Sequence, residues 1–484
     1  MRQYVILFFI VSVITTAIAR PFDRAEVRRS LMDLPAPAEE THSGPMMLTL
    51  RDAVLLALRT NPNIESYELQ RVLDKFALDL AHDAFAPHFT LAANYNLATG
   101  IPPTYSLNPS VQMQTPIGTT INFAYANSLS GGGQQTLTLT QPLLQGAGEV
   151  NAVPLKNAMD SELVNRLNFK NNVISVVVAV VQAYRTLMGD YNTLKVQANT
   201  LREDKELLQQ YELQVKAGQL ARSELTQQKA SFTQTQLSYK QQEQQINQDY
   251  QAFLTSIGLR ADAKVTIRDS LEVDEHYQVP DLQQSIQEAL ANNISYQSAL
   301  INLRATERGL ITARDQQKWS LNLTYSSTGG STTGSEADSI GDDPTAGEGN
   351  TAGLALSIPL NNLSNEQAVK QAEIALENAK IVLAQQQRQL VSTVTQQVIA
   401  MQNQVEQIKI AKQNVMLQQE AYDATKLKQQ YGRATAFELS QQQDNLVQAQ
   451  ISLITAQIGL LNDITTYNQI MAKTLDVWDI KLRY

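Results

Sequence analysis

Two acidic residues follow a glycine at the same distance in two separate runs that otherwise read as helix. Glu224 lies six residues after Gly218, and Glu438 lies six residues after Gly432. In both places Leu, a small hydroxyl residue and two Gln come next. Glycine permits the positive φ that ends a helix, and a carboxylate suits the first turn of the helix that follows. The spacing predicts one helix break in each run.

No catalytic constellation accompanies these carboxylates. The chain has no cysteine, which removes thiol nucleophiles, thiolate metal sites and disulfides together. Its histidines have no metal-ligand spacing, and they are His42, His82, His88 and His276. No phosphate-binding loop, nucleophile elbow or dinucleotide fingerprint is present. The sequence predicts a protein that is not an enzyme, with no metal site and no cofactor.

Charge and the N-terminal residues indicate an exported protein that does not bind nucleic acid. The net charge of -9 leaves no basic run to neutralise phosphates. Arg2, a short apolar run and a small-x-small ending at Ala17 and Ala19 predict a signal peptide over residues 1–19. A membrane anchor is the alternative interpretation of this segment. No later segment has the ~18 apolar residues of a spanning helix.

The sequence contains an internal repeat. Residues 57–91 align without a gap on residues 289–323, placing Asn61 on Asn293, and most of the length difference falls within 99–134. The predicted divisions are a signal peptide (1–19), an N-terminal extension (20–47), a first repeat (48–257), an equatorial linker (258–280), a second repeat (281–472) and a C-terminal tail (473–484).

Each repeat has the same predicted order of elements: a helix, a strand-rich stretch, a long helix, the glycine break and another helix. The long helices span about 156–216 and 365–430, and Val173, Val177 and Val180 begin a seam of coiled-coil type in the first. At about 1.5 Å per residue these helices reach roughly 90 to 100 Å. The fold class is mainly α, with long coiled-coil helices and a smaller β part.

The strand-rich stretches alternate apolar and small polar residues, as in "FTLAANY" (89–95) and "QTLTLTQ" (135–141). This pattern is typical of membrane barrel strands and equally of a half-buried sheet. Within 89–141 and 321–358 there are four clear strands. A further hairpin within 111–127 is possible from the sequence. Four strands cannot close a barrel, and an open edge is not tolerated in lipid. Three copies sharing one transmembrane β-barrel would supply twelve.

These features, in this duplicated order, resemble the TolC-type outer-membrane efflux proteins. The resemblance rests on the signal, the two tandem units, the glycine breaks, and "TQPLLQGAG" and "SIPLNNLSN" at the strand-to-helix junctions. It implies a homotrimer with a twelve-stranded barrel in outer-membrane lipid, continuous with a helical tunnel in the periplasm. Such proteins are exit ducts for efflux of small molecules or type I secretion of polypeptides. Their partners are a periplasmic adaptor (membrane fusion) protein and an inner-membrane transporter.

The resemblance also implies roles for residues at the glycine breaks. It places the adaptor-docking tips of the helical hairpins at Gly218, Gln219, Leu220, Gly432, Arg433 and Ala434. It makes Glu438, Gln441 and Glu224 a periplasmic gate, with one carboxylate per chain fewer than relatives that have an acid at the Gln441 position. Arg222 and Arg433 would form latching ion pairs. The alternatives are helix-start carboxylates and solvated cations at helix ends.

A different class of protein stays open at this point: an elongated periplasmic coiled-coil structural or adaptor protein without a channel. An adaptor should carry β-rich domains flanking one hairpin, whereas this chain has two hairpins joined through strands. A structural stalk would have no reason to alternate Leu and Thr beside the Gly-, Ser- and Thr-rich acidic loop at 327–351. The channel interpretation is therefore the one that the residues favour.

Overall fold

A computed structural model describes residues 32–33, 46–98, 101–128, 131–268, 271, 277–330 and 349–483. The predicted signal peptide and most of the predicted N-terminal extension lie outside the described residues, as does most of the acidic loop. The helices, in chain order, are α1 (Leu50–Thr60), α2 (Pro62–Asp83), α3 (Val153–Lys216), α4 (Arg222–Ser256), α5 (Leu282–Asn292), α6 (Ile294–Gln316), α7 (Leu363–Gln430), α8 (Ala436–Ile470) and α9 (Thr474–Val477).

An asparagine joint divides the first helix of each repeat in two. The sequence predicts one helix over about 49–86 and another over 281–318, whereas the structure breaks them at Asn61 and Asn293. The Asn61 side chain accepts a hydrogen bond from the Asn63 amide and donates to the Ser256 carbonyl at 2.7 Å. Asn293 caps α6 in the same way and donates to Ile470 at 3.0 Å. The alignment of Asn61 with Asn293 therefore describes a real structural equivalence.

The long helices α3 and α7 have the predicted bounds within three residues, and their apolar seams form the core. Val173, Val177 and Val180 are buried against α1, α4 and the neighbouring segments. Helix α3 with its preceding turn is the one described helix that is long and apolar enough to cross a membrane, but 61% of its apolar window is buried inside the structure. Burial on this scale is what a core helix shows.

One sheet contains six strands in the order in which they follow along the chain, and every neighbouring pair is antiparallel. The strands are β3 (His88–Ala98), β4 (Ile101–Gln114), β5 (Thr120–Ser128), β6 (Gly131–Pro142), β8 (Ser320–Gly330) and β9 (Gly349–Ser357). The expectation of four strands per chain is wrong. The stretch between β3 and β6, where the first repeat is longer, folds as a complete hairpin of two more strands.

The register of the sheet separates an apolar face from a polar one. One row of paired residues across five strands is apolar and consists of Met113, Ile121, Leu139, Tyr325 and Ala352. The adjacent row is polar and consists of Gln112, Asn122, Thr138, Ser326 and Thr351. The predicted alternation of apolar and polar residues is therefore found in the strands, including β4 and β5.

Two short sheets lie outside the six-stranded one. β2 (Met46–Leu48) pairs in parallel with β7 (Val265–Ile267), which lies in the predicted equatorial linker. β1 (Met32–Asp33) pairs antiparallel with β10 (Lys481–Leu482). The Tyr184 hydroxyl donates to the Leu48 carbonyl at 3.1 Å, so the first of these sheets is held against α3. The linker strand β7 is thus packed on the helical body through β2.

Candidate functional site at the hairpin turns

The two glycine breaks are helix ends of one type. Gly218 has φ +72° and Gly432 has φ +68°, in the left-handed region that glycine adopts readily. Beyond Gly218, the Gln219 amide donates to the Gln214 carbonyl at 2.8 Å. Beyond Gly432, the Arg433 amide donates to Lys428 at 2.9 Å. Both turns reverse the chain from a long helix into the last helix of the repeat, as the sequence predicts.

Glu224 connects the two hairpins. Its carboxylate accepts a hydrogen bond from the backbone amide of Ala436 at 2.7 Å, at the first residue of α8. Nearby, the Gln429 side chain donates to the Tyr211 hydroxyl at 2.9 Å. A carboxylate at a helix N-terminus is stabilised both by free amides and by the helix dipole. Glu224 therefore acts on the helix of the other repeat, a contact that the sequence did not indicate.

Glu438 occupies the start of its own helix. Its carboxylate accepts from the Thr435 amide at 2.8 Å, while the Thr435 hydroxyl accepts from the Glu438 amide at 3.2 Å, which together make a capping box. The side chain remains exposed to solvent. Gln441, one turn later, donates to the Asn445 side chain at 3.2 Å. The carboxylate of Glu438 is thus both a helix cap and an open negative charge at the turn.

The remaining residues predicted at the turns are mostly on the surface. Arg222, Arg433 and Gln219 are exposed, while Leu220 and Ala434 are half-buried. Within the described parts of the chain, Arg222 and Arg433 form no ion pair. The expected latching ion pairs are therefore not formed within one chain. Among the described residues no group of three or more His, Asp or Glu is placed to hold a metal ion.

A buried carboxylate between the hairpins was missed by the sequence analysis. Asp204 is 1% exposed and accepts hydrogen bonds from Thr235 at 2.7 Å and from Gln228 at 3.5 Å. Burial raises the pKa of this carboxyl above its ordinary value, against the effect of the two hydrogen bonds. The signal was available, because Asp204 follows Leu201 by three residues and so shares the face of the apolar seam.

A second unusual carboxyl lies in the middle of α3. Burial, and then the nearby Asp249 carboxylate on α4, raise the pKa of Asp190 to about 6. The Gln242 side chain donates to Asp190 at 3.1 Å and opposes that shift. Because Asp190 holds its proton more tightly in the folded protein than when unfolded, ionising it weakens the fold.

Replacing Asp190 with Asn is expected to stabilise the protein at pH 7 and to flatten its response to pH. A carboxyl with a raised folded pKa gives full stability below its unfolded pKa, and stability falls as the pH rises from about 4 to about 6. The gain at pH 7 should be about 1 kcal/mol, since the group is only partly buried and water screens part of the effect. Urea midpoints of both proteins between pH 4 and 7 check this, and parallel curves would contradict it.

Comparison with known proteins relates this architecture to one family. Residues 285–470 match the sequence model of the family described as outer membrane efflux protein. The matched segment contains the second glycine turn with Glu438 and nearly all of the second repeat. A comparison with curated proteins found no match.

Solved structures with the same fold cover most of the chain. The outer-membrane channel OprN superposes with a TM-score of 0.68 at 16% identity, covering 88% of this chain and 90% of that one. VceC from Vibrio cholerae has a TM-score of 0.65 at 15% identity and covers 88% and 96%. The Campylobacter jejuni outer membrane channel CmeC has a TM-score of 0.66 at 14% identity and covers 92% of both chains.

The likeness of the fold extends over both repeats, whereas the family match lies in the second. Residues 285–470 match the outer membrane efflux protein family, most of the chain has the fold of TolC-like outer-membrane channels, and the protein is located in the outer membrane.

Proposed function

We propose that three copies of this chain form an outer-membrane exit duct, coupled through a periplasmic adaptor to an inner-membrane transporter. Cargo would be small molecules in efflux or polypeptides in type I secretion. The observation that carries this proposal is the apolar surface that one chain leaves uncovered, both on its sheet and along α7. Such a surface requires lipid against the sheet and other copies of the chain against the helices.

Exposed apolar side chains recur along one face of α7, with polar residues between them. They are separated by 7, 18, 11 and 7 residues, are all exposed, and are Ile374, Ile381, Ile399, Ile410 and Leu417. Separations of about 7, 11 and 18 residues are whole turns of an α-helix, so these side chains share one face over about 65 Å. Large apolar side chains that recur on one helix face over this length favour packing against a second chain over contact with water.

The sheet also has apolar surface that one chain leaves uncovered. Its apolar face is uncovered, with Leu354 65% exposed and Phe89 79% exposed. Among the described residues, β3 and β9 each pair on one side only. Unpaired strand edges in lipid would cost several kcal/mol for each free amide or carbonyl, so a wall in the membrane has to be completed by further chains.

At the other end of the long helices, the two turns supply the proposed gate and docking surface. The exposed Glu438 side chains of three copies would form a ring of negative charge at the mouth of the tunnel. A narrow ring of one sign favours cations over anions. The exposed Gln219 and Arg433 would meet the adaptor, with Leu220 and Ala434 beside them. Arg222 and Arg433 would be the cations available for latching between copies.

Replacing Glu438 with Gln is expected to lower the cation preference of single channels at least twofold. Gln still satisfies a capping box, so the turn keeps its structure while the charge is lost. The permeability ratio is measured as a reversal potential in a salt gradient across planar bilayers. Gln441→Glu should raise the same ratio, since it adds a second carboxylate to the ring.

A matched control removes a charge far from the turn. Glu377 forms an exposed ion pair with Lys380 at 2.8 Å near the sheet end of α7, and Glu377→Gln should leave the ratio unchanged. An unchanged ratio in Glu438→Gln would refute the gate. Recovery of the native protein as a soluble periplasmic monomer, on fractionation and crosslinking, would refute the channel altogether.

A further inference from the structure

We infer that β4 and β5 are full wall strands of the barrel, so that three copies close a ring of eighteen strands in place of the twelve expected from the family. The inference rests on the proposed trimeric channel and adds the number of strands and the surfaces that join the copies. Four features of the sheet point to it: the length of the two strands, the position of their turn, the alignment of their faces and the open edges.

Both added strands are long enough to cross a membrane. A transmembrane strand needs about 9–11 residues, and β4 has 14 residues while β5 has 9. The pairing of β4 with β3 begins at the helical end, where Gln112 is opposite His88. The pairing of β5 with β6 begins at the same end, where Thr120 is opposite Thr140. Pairing along the flanking strands means that β4 and β5 cover the same height of the wall.

The turn between β4 and β5 lies at the helical end of the sheet. The Gly148 amide, just before α3, donates to the Ile117 carbonyl at 3.1 Å. Gly118 has φ +96°, and a Cβ there would lie 2.4 Å from the Gly146 carbonyl oxygen. This close backbone contact fixes the turn where β6 gives way to the helices. The hairpin therefore descends through the wall and does not fold away from it at the outer rim.

The faces of the added strands continue those of their neighbours. Phe123 on β5 is opposite Val111 on β4 and Leu137 on β6, all on the apolar face. Asn122 is opposite Gln112 and Thr138, all on the polar face. A hairpin standing free in water would have no reason to keep this segregation in register with four other strands. The alignment points to lipid on one side and water on the other.

The partner that fits the open edges is a second copy of this chain. β3 runs away from the helical end and β9 runs towards it, so β9 of one copy can pair antiparallel with β3 of the next. Because each chain contributes an even number of strands, alternation continues across every junction. A head-to-tail contact of this kind generates a ring when the rotation between copies closes, here after three copies.

The ring is wider than a twelve-stranded one. With strands about 4.8 Å apart and tilted about 40°, twelve strands give a backbone diameter of about 24 Å and eighteen give about 36 Å. Barrels of 16–18 strands enclose an aqueous channel. The polar row on the inner face of the sheet would line this wider opening.

Single cysteines test whether β5 is part of the wall, and the cysteine-free native chain is the background. Asn122→Cys and Phe123→Cys probe the two faces of β5, while Thr138→Cys and Leu137→Cys probe their cross-strand neighbours on β6. A charged, membrane-impermeant maleimide should label Asn122→Cys and Thr138→Cys at least tenfold faster than Phe123→Cys and Leu137→Cys in proteoliposomes. Equal rates in the β5 pair, with unequal rates in the β6 pair, would overturn the inference.

The β6 pair also separates this inference from the proposed function. Equal rates in that pair would mean that the sheet is not a membrane wall, and the channel itself would fail. End-on cryo-electron microscopy of the full chain in detergent then measures the ring. Three copies with a wall about 36 Å across are expected. A wall about 24 Å across, or a two-copy ring, would overturn the eighteen-stranded barrel.

Discussion

Replacing Glu162 with Gln is expected to lower the free energy of unfolding by about 3–5 kcal/mol. Glu162 is 4% exposed and accepts hydrogen bonds from Arg71, which is itself buried, and from Arg166 at 2.8 Å. Burial alone would raise the pKa of the Glu162 carboxyl, but the hydrogen bonds from the two arginines hold it below its ordinary value. The neutral amide would deprive the buried Arg71 guanidinium of the counter-charge of Glu162.

The urea midpoint of the detergent-solubilised protein, followed by circular dichroism, measures this loss. Glu212→Gln is the matched control, since Glu212 and Lys229 form an exposed pair at 3.7 Å that should contribute well under 1 kcal/mol. The double variant Arg71→Met, Glu162→Leu should recover most of the lost stability, because an apolar pair can replace a buried ion pair. A loss below about 1 kcal/mol in Glu162→Gln would contradict the argument.

Replacing Gly258 with Ala is expected to cost about 3–4 kcal/mol, from a left-handed backbone and from overpacking. Gly258 has φ +75°, and an added Cβ would lie 2.3 Å from the Thr60 carbonyl oxygen and 2.7 Å from the Asn61 Cα. These are backbone atoms of the asparagine joint, where the Asn61 side chain already holds the end of α4. The two segments would have to separate to admit the methyl group.

Gly218→Ala separates the two causes. Gly218 has nearly the same φ, +72°, but no atom lies within 4 Å of where its Cβ would be. Its substitution should therefore cost only about 1 kcal/mol, the backbone part alone. Urea midpoints of the two variants give the difference directly. Equal losses would show that crowding at Gly258 contributes nothing.

The helical half of the fold could be predicted closely because its signals are local. The bounds of α3 and α7 follow from an apolar seam that ends at Gly218 and Gly432, and both glycines have the positive φ that this requires. The equivalence of Asn61 and Asn293 also came from the residues alone, through the internal alignment. Periodicity and helix-ending chemistry act within a few residues, so one sequence contains them.

The two uncounted strands and the bridging carboxylate depend on distant partners. β4 contains Pro102, Pro103 and Pro109, and proline in a sequence argues against a central strand. Pro109 pairs with Leu91 on β3 but has no partner on β5, and the residues on either side of it hold the strand in the sheet. Glu224 was predicted at a helix start, but its partner Ala436 lies 212 residues away in the other repeat. Which amide a carboxylate reaches across such a distance depends on how the hairpins pack.

The unbroken length of the long helices has a mechanical consequence. α3 has 64 residues and α7 has 68, which at about 1.5 Å per residue makes each a rod of about 100 Å with the sheet at one end and a glycine turn at the other. A rod of that length is a lever: tilting it by about 5° at the sheet end moves the turn by about 9 Å. Small rotations near the membrane are thereby converted into displacements as large as a helix is wide.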